Sequence, residues 1–255
     1  PDYKSGRSAD LNSSDPKEVA KAKLQAEYKK QVPYLQMILG TLGVPQVRGH
    51  EVEADDFSGL ICANAKGGIE IEMVTKDTDW YQNVAPNVRW LRPSPRKLIT
   101  WESLSEKDGG LDVDKVFFKT PQDCLQAKAL AGDPSDSIPG IYGIGMGFAK
   151  KFLDQFGSFE AMWEAFDSGE YKPSGKKACD VVTQEARSIY RRNLALMDFS
   201  QAQFNCMEDV SITRSKPNKE DFVALCDLLG LSKIKDGFTR FEENYEATMP
   251  LWEKH

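Results

Sequence analysis

Apolar and polar positions alternate along this chain in two distinct rhythms. From about Pro16, Val19, Leu24, Tyr28, Val32, Leu35, Ile38 and Leu39 recur at helical spacing, which predicts an amphipathic helix with Asp15 as N-cap, Pro16 in its first turn and Gly40 near its stop. The stretch "VPQVRG" (44 to 49) reads as a short strand, and "EVEADDFSGLICANAKGG" as a second helix closed by Gly67 and Gly68. "IEIEMVT" (69 to 75) alternates as a strand does, and "NVRWL" and "RKLITW" read as a strand pair joined through Pro93 and Pro95. Strand-helix-strand order predicts an α/β sheet, on which ligands gather at the carboxyl ends of strands.

From about Thr120 the texture becomes helical. "TPQDCLQAKALAG", "GMGFAKKFLDQFG", "SFEAMWEAF" and "KKACDVVTQEARSIYRRNLALM" all carry the longer period, parted by Gly or Pro. Two more helices are expected around 218 to 230 and 236 to 246. No long repeat, low-complexity block or flexible linker interrupts the chain.

Composition narrows the partners. At 255 residues, 40% hydrophobic and 28% charged, the chain is of ordinary globular type. No stretch reaches the roughly 18 to 20 apolar residues of a membrane span, and residues 1 to 30 are polar, so an intracellular, cytoplasmic, monomeric protein is expected. The five cysteines are widely spaced without a C-x-x-C pair, which fits reduced thiols. Histidine occurs only as His50 and His255, which leaves little room for imidazole triads or His-rich metal sites. The net charge of −6 argues against nucleic acid at first. Two divalent cations in an acidic pocket would add +4 locally and bring −6 to −2, freeing basic patches to act elsewhere.

Three acidic clusters carry the chemistry. "EVEADD" places Glu53, Asp55 and Asp56 at a helix start, where acids also suit the helix dipole. "TKDTDW" places Asp77 and Asp79 just past a strand, a position often filled by structural turn acids. "GDPSDSIPGIYGIG" sets Asp133 and Asp136 ahead of a glycine-rich run; a plain capped helix here would be cut to barely one turn by Pro139. Seven carboxylates converging without cations would repel one another. Hard oxygen donors favour two Mg²⁺ ions, with Mn²⁺ as substitute, over zinc. Such ions about 4 Å apart hydrolyse phosphodiesters without a protein nucleophile.

In order and spacing, these three motifs resemble the 5′ nucleases: bacteriophage flap endonucleases (5′-3′ exonucleases) and the 5′ nuclease domain of bacterial DNA polymerase I. "FGSFEAMWEAF" and "YRRNLALMDFS" look like that family too. The resemblance implies a PIN-like α/β core with a mostly parallel sheet and arch segment (1–118), a helix-three-turn-helix module (119–205) and C-terminal helices packing on the core (206–255). It implies that Glu53, Asp55 and Asp56 help hold one metal, some of them through water. Asp77 and Asp79 would share or bridge it, and Asp133 with Asp136 would hold the second. The hairpin 137 to 151 is expected to clamp duplex DNA, with Gly143, Gly145 and Gly147 letting backbone reach phosphate and Lys150 and Lys151 adding charge. A K⁺ ion there would be held by carbonyls and the Ser137 hydroxyl.

"DYKSGR" resembles the family's Tyr-Lys-x-x-Arg segment, in which Tyr3 stacks on an unpaired base while Lys4 and Arg7 serve catalysis. Residues 5 to 30 would form an arch lined by Lys17, Lys21, Lys23, Lys29 and Lys30. Lys176, Lys177, Arg187, Arg191 and Arg192 form a second basic group placed to track the duplex, or a solvated face. Family members open with a hydrophobic strand ending in a metal-binding aspartate. This chain begins after it, so it is expected to be a fragment of a longer product or to receive that strand from another polypeptide. The activity implied is cleavage of DNA at 5′ ends, nicks and flaps, with RNA–DNA hybrids as a further substrate. The alternatives are a catalytically inactive junction-binding protein of the same fold and a PIN-type ribonuclease, the latter disfavoured by the glycine hairpin.

Overall fold

The computed structural model describes residues 12–49, 52–65, 68–106, 111–113, 115–201 and 210–244. In chain order its elements are α1 (Pro16–Thr41), β1 (Gln46–Gly49), α2 (Ala54–Asn64), β2 (Ile71–Val74), β3 (Val88–Pro93), β4 (Arg96–Ile99), β5 (Leu111–Val113) and β6 (Val116–Phe118). Then follow α3 (Pro121–Ala131), β7 (Gly132–Asp133), β8 (Ile138–Pro139), α4 (Met146–Phe156), α5 (Phe159–Asp167), α6 (Lys176–Val181), α7 (Gln184–Met197), β9 (Val210–Thr213), α8 (Lys219–Leu228) and α9 (Ser232–Lys235). The chain divides into two compact units, Glu53–Gln203 and Ser8–Val52 with Phe204–His255.

The first unit is built on β2, β3 and β4. β2 and β3 run parallel, with Met73 opposite Trp90, and β4 returns antiparallel with Ile99 opposite Trp90. These three side chains are buried on one face, while Arg89 and Glu72 pair at 2.8 Å on the other. The α/β class therefore holds, but the parallel order expected of the sheet is confined to β2 and β3. The turn at Ser94 and Pro95 is too short for a crossover, so β4 can only come back antiparallel. A β5–β6 hairpin, unannounced by the short "LDVDKVFF", turns through Lys115 at φ 63°.

The helical half shares its core with the sheet. Met73, Trp90 and Phe118 belong to the same buried cluster as Leu130, Phe152, Phe159, Trp163 and Tyr190. α3 lies at the centre, with Cys124, Leu125, Gln126, Ala127, Ala129 and Leu130 all buried. The run "KKACDVVTQEARSIYRRNLALM" is two helices rather than one. Thr183 caps the second by accepting from the Ala186 N–H at 3.1 Å.

In the second unit α1 starts as expected, Asp15 accepting from the Lys17 N–H at 2.9 Å, and it runs through Pro33 to Thr41. The strand expected at "VPQVRG" forms, yet it does not enter the sheet with β2. It pairs antiparallel with β9, Val47 opposite Ile212. Local alternation signals a strand but not its partner, here more than 160 residues away. Phe222 of α8 packs on Phe238 at 5.2 Å, with Ile38 and Leu42 from the end of α1 against them. The tail divides into α8, the short α9 and a further helical stretch over 238 to 244.

Candidate metal centre and nucleic-acid interface

Two backbone devices bring the acids of the first unit together. After β2 the chain turns into a 3₁₀ segment, Asp79–Asn83, whose first residue is Asp79. Asp77 organises the turn: its N–H donates to Thr75 Oγ1 and its Oδ1 accepts from the Asp79 N–H, both at 3.0 Å. The Trp90 indole donates to the Thr75 carbonyl at 3.1 Å and ties this loop to the sheet.

The second device is the loop between α3 and α4. Gly132 has φ 83°, open to glycine and strained for other residues, and the backbone at Gly140 passes directly over it. A Cβ on Gly140 would lie 2.0 Å from the Ala131 carbonyl oxygen, and one on Gly132 would lie 2.3 Å from the Gly140 nitrogen. Between these crossing points, Asp133 caps a one-turn 3₁₀ segment, Pro134–Asp136, and accepts from the Ser135 N–H at 2.8 Å and its hydroxyl at 2.6 Å. The one-turn capped segment, considered too short to be a comfortable helix, exists as a 3₁₀ turn. It buries both Asp133 and Asp136.

Asp79, Asp133 and Asp136 thereby converge, each offering a carboxylate oxygen within 4.8 Å of the others. Lys128 of α3 stands among them, its Nζ 2.5 Å from Asp79 Oδ1 and 2.8 Å from Asp133 Oδ2, with its side chain only 14% exposed. Burial opposes charge on the Lys128 ammonium, but the two carboxylates outweigh it and hold the group above the ordinary lysine value. Burial pushes the Asp79 carboxyl up against the pull of Lys128, with Asp77 and Asp133 adding repulsion. At Asp133 burial acts the same way, but hydrogen bonds from Lys128 and Ser135 prevail and hold the carboxyl below its usual range. One ammonium among three carboxylates leaves an excess of negative charge. Hard oxygen donors with no imidazole or thiol in this group are a set that could hold a divalent metal ion.

The other acids lie outside this group of three. Glu53 and Asp56 form a reciprocal capping box at the start of α2, the Glu53 N–H donating to Asp56 Oδ2 at 3.0 Å. Asp55 Oδ1 accepts from the Trp80 indole at 2.8 Å, which links α2 to the residue beside Asp79. Asp77 serves the turn described above.

At the hairpin, Ser137 ends the 3₁₀ segment in the left-handed conformation at φ 60°. Gly143 has φ 75° and needs to be glycine. Gly145, the N-cap of α4, has φ −112° and nothing within 4 Å of an added Cβ, and Gly147 would meet only Val116 at 3.6 Å. Glycine at 145 and 147 is therefore required neither by the backbone nor by internal packing. The Phe148 and Ala149 N–H groups both donate to the Gly145 carbonyl at 3.0 Å, which leaves those of Met146 and Gly147 as the N–H groups that the helix itself does not satisfy. Lys151 is exposed, and Lys150 pairs with Asp154 at 2.5 Å.

Arg187 departs from its expected place in the basic group. It is buried, bidentate to Asp167 at 2.7 Å through both Nη atoms and stacked 5.6 Å from the Trp163 ring. Its charge is consumed in packing. Arg192 donates to the Pro139 carbonyl at 3.0 Å, and only Lys176, Lys177 and Arg191 of that group remain exposed without such a role. Lys17, Lys21, Lys23, Lys29 and Lys30 are all exposed on α1. Tyr3, Lys4 and Arg7 lie outside the described residues. No helix among the described residues is long and apolar enough to cross a membrane.

Sequence reasoning missed Lys128, Gly132, Gly140 and Asn193. Lys128 was legible as the one charged residue between Asp123 and Asp133, five positions before the latter. Asn193, fully buried, donates to the Ala129 carbonyl at 2.8 Å and the Pro139 carbonyl at 3.0 Å, so it holds the end of α3 to the loop of acids. Only its contacts across the fold reveal that role.

Comparison with known proteins finds relatives for both parts of the chain. Residues 1–109 match the family described as 5′-3′ exonuclease, N-terminal resolvase-like domain, and residues 119–217 match 5′-3′ exonuclease, C-terminal SAM fold. The chain is 34% identical to a 5′-3′ exonuclease of Streptomyces coelicolor over 66% of this chain and 53% of that protein. It is 32% identical to a thermostable DNA polymerase I of Thermus thermophilus over 89% of this chain. It spans about half the length of the former and 25% of the latter. In fold it is similar to the T5 5′-exonuclease with bound zinc, at a TM-score of 0.61 and 19% identity, covering 95% of this chain and 75% of that one. With the two halves matched in order across most of its length, the chain belongs to the 5′-3′ exonuclease family.

Proposed function

We propose that this protein is a Mg²⁺-dependent structure-specific 5′ nuclease, hydrolysing phosphodiester bonds at DNA 5′ ends, nicks and flaps, with RNA–DNA hybrids as a second substrate. The observation that carries this reading is the convergence of Asp79, Asp133 and Asp136 from two distant segments onto one point within 4.8 Å. Three carboxylates so placed, with a single ammonium between them, make a site for divalent cations and a poor one for a bare phosphate. Asp79, Asp133 and Asp136 would hold the metal. Asp55, tied to Trp80 beside Asp79, would act on it through water. When bound, two such ions supply an activated water and charge stabilisation for the departing 3′ oxygen.

The chain's own residues do the positioning. Gly132 and Gly140 fix the loop of acids, and Asn193 and Arg192 grip the Pro139 carbonyl that leads from it into the hairpin. Asp133, Asp136 and the start of α4 are thus on one continuous, anchored segment. The open surface at Gly145 and Gly147 suits close approach of a DNA backbone to the N–H groups there, and such contacts read shape rather than sequence. A K⁺ ion held beside Ser137 would fit this clamp. The similarity to the DNA polymerase I and exonuclease relatives supports a role in replication or repair.

The test is cleavage of a 5′-labelled flap substrate by the full-length protein and its Asp133→Ala variant, with duplex affinity measured in parallel. The variant should lose Mg²⁺-dependent release of labelled product and keep duplex binding. Undiminished cleavage would refute the assignment.

A further inference from the structure

The loop ahead of α4 carries a feature that the metal centre does not use. Ile141 to Ile144 form a tight turn in which the Ile144 N–H donates to the Ile141 carbonyl at 3.0 Å and Gly143, at the third position, has φ 75°. This is the pattern of a type II turn. Ile141 and Ile144 are both buried and anchor the turn from either side. Tyr142, between Ile141 and Gly143, is 96% exposed, the highest value among the large hydrophobic side chains of the described residues. A large aromatic held at the tip of a fixed turn gains nothing from the protein's own packing, while its apolar faces remain hydrated.

Its surroundings indicate what it meets. Lys177 reaches past the turn, its Cε 3.8 Å from where a Cβ on Gly143 would lie and its Nζ 5.6 Å from the Phe148 ring. Lys176 and Lys177 are both exposed at the start of α6, and Lys151 is exposed on α4. The nearby Asp154 is neutralised by Lys150. The ring therefore projects beside the Lys177 side chain, next to the start of α4.

We propose that Tyr142 is an apolar contact of the duplex clamp, its ring packing on the deoxyribose face of a DNA strand whose phosphates are met by Lys176 and Lys177. This rests on the nuclease reading, which supplies the duplex. In a duplex the base faces are already stacked, so the apolar surface open to a projecting ring is sugar. Such a contact adds affinity without displacing counterions, which sets it apart from the lysines beside it.

The experiment is duplex binding by the full-length protein in EDTA, where no strand is cut, across a series of salt concentrations. Tyr142→Ala should weaken binding about five- to tenfold at every salt concentration with an unchanged log–log slope, at the scale of one lost aromatic contact. Tyr142→Phe should retain wild-type affinity, and Lys176→Ala/Lys177→Ala should lower the slope by roughly one to two. Thermal melting of Tyr142→Ala should match wild type, because the side chain touches little. Wild-type affinity in Tyr142→Ala would overturn the proposal and leave the nuclease reading standing. A larger loss on single-stranded than on duplex DNA would overturn it in favour of stacking on an unpaired base. Absence of duplex binding by the wild-type protein would remove both.

Discussion

Lys128 Nζ lies 2.8 Å from Asp133 Oδ2, an ion pair formed inside the protein between the central helix and the loop of acids that follows it. The same ammonium reaches Asp79, so one lysine holds together two carboxylates that would otherwise repel. A site built this way is assembled without a divalent cation, and a cation bound there would compete with the lysine for the same oxygens.

Replacing Lys128 by Met is therefore expected to lower stability in EDTA by about 3 kcal/mol, on the scale of removing one partner from a buried ion pair. Saturating Mg²⁺ should restore more of the melting temperature in the variant than it adds to wild type. Equal metal-induced shifts in the two proteins would show that Lys128 and the cation do not share ligands.

The loop of acids depends on two glycines. Gly140→Ala would place a Cβ 2.0 Å from the Ala131 carbonyl oxygen, so urea unfolding should show a loss of about 1–3 kcal/mol. Gly145→Ala is the contrasting case: with φ −112° and no neighbour within 4 Å, it should leave the unfolding midpoint unchanged while weakening duplex binding by blocking backbone approach. A stability loss at Gly145 equal to that at Gly140 would contradict the open surface assigned to it.

Arg187 gives a prediction in pH. Its hydrogen bonds to Asp167 hold that carboxyl below its usual value, against the opposing effect of desolvation. A carboxyl depressed in the folded state contributes stability above its unfolded pKa and loses it as pH falls through the folded one. Wild type should thus lose melting temperature as pH drops below about 4, the ordinary carboxylate range. Asp167→Asn should start lower and lose less across the same interval. Parallel curves for the two proteins would remove Asp167 from the acid transition.

How far the sequence foretold this can be judged at particular residues. The starts of α1, α3 and α5 follow from their caps, because Asp15, Thr120 and Ser158 each accept the backbone N–H that a cap should, and α4 follows from its period, with Met146, Ala149, Phe152 and Leu153 buried. Asp79, Asp133 and Asp136 were visible as acids beside a strand end and a glycine-rich run. Their convergence was not, since it depends on the backbone crossing at Gly132 and Gly140 and on Asn193 holding the end of α3 from 64 residues away. Arg187 misled for the same reason: a cation between Ala186 and Ser188 reads as surface until Asp167 and Trp163 fold over it. Patterns with a period declare themselves locally, whereas partners chosen through tertiary contact do not.

The most direct measurement is calorimetric titration of Mn²⁺ or Mg²⁺ into the full-length protein and its Asp79→Asn, Asp133→Asn and Asp136→Asn variants. Wild type should bind the divalent ion, and each variant should lose about tenfold or more in affinity with folding intact by circular dichroism. Wild-type metal affinity in all three variants would contradict the assignment of these acids as metal ligands.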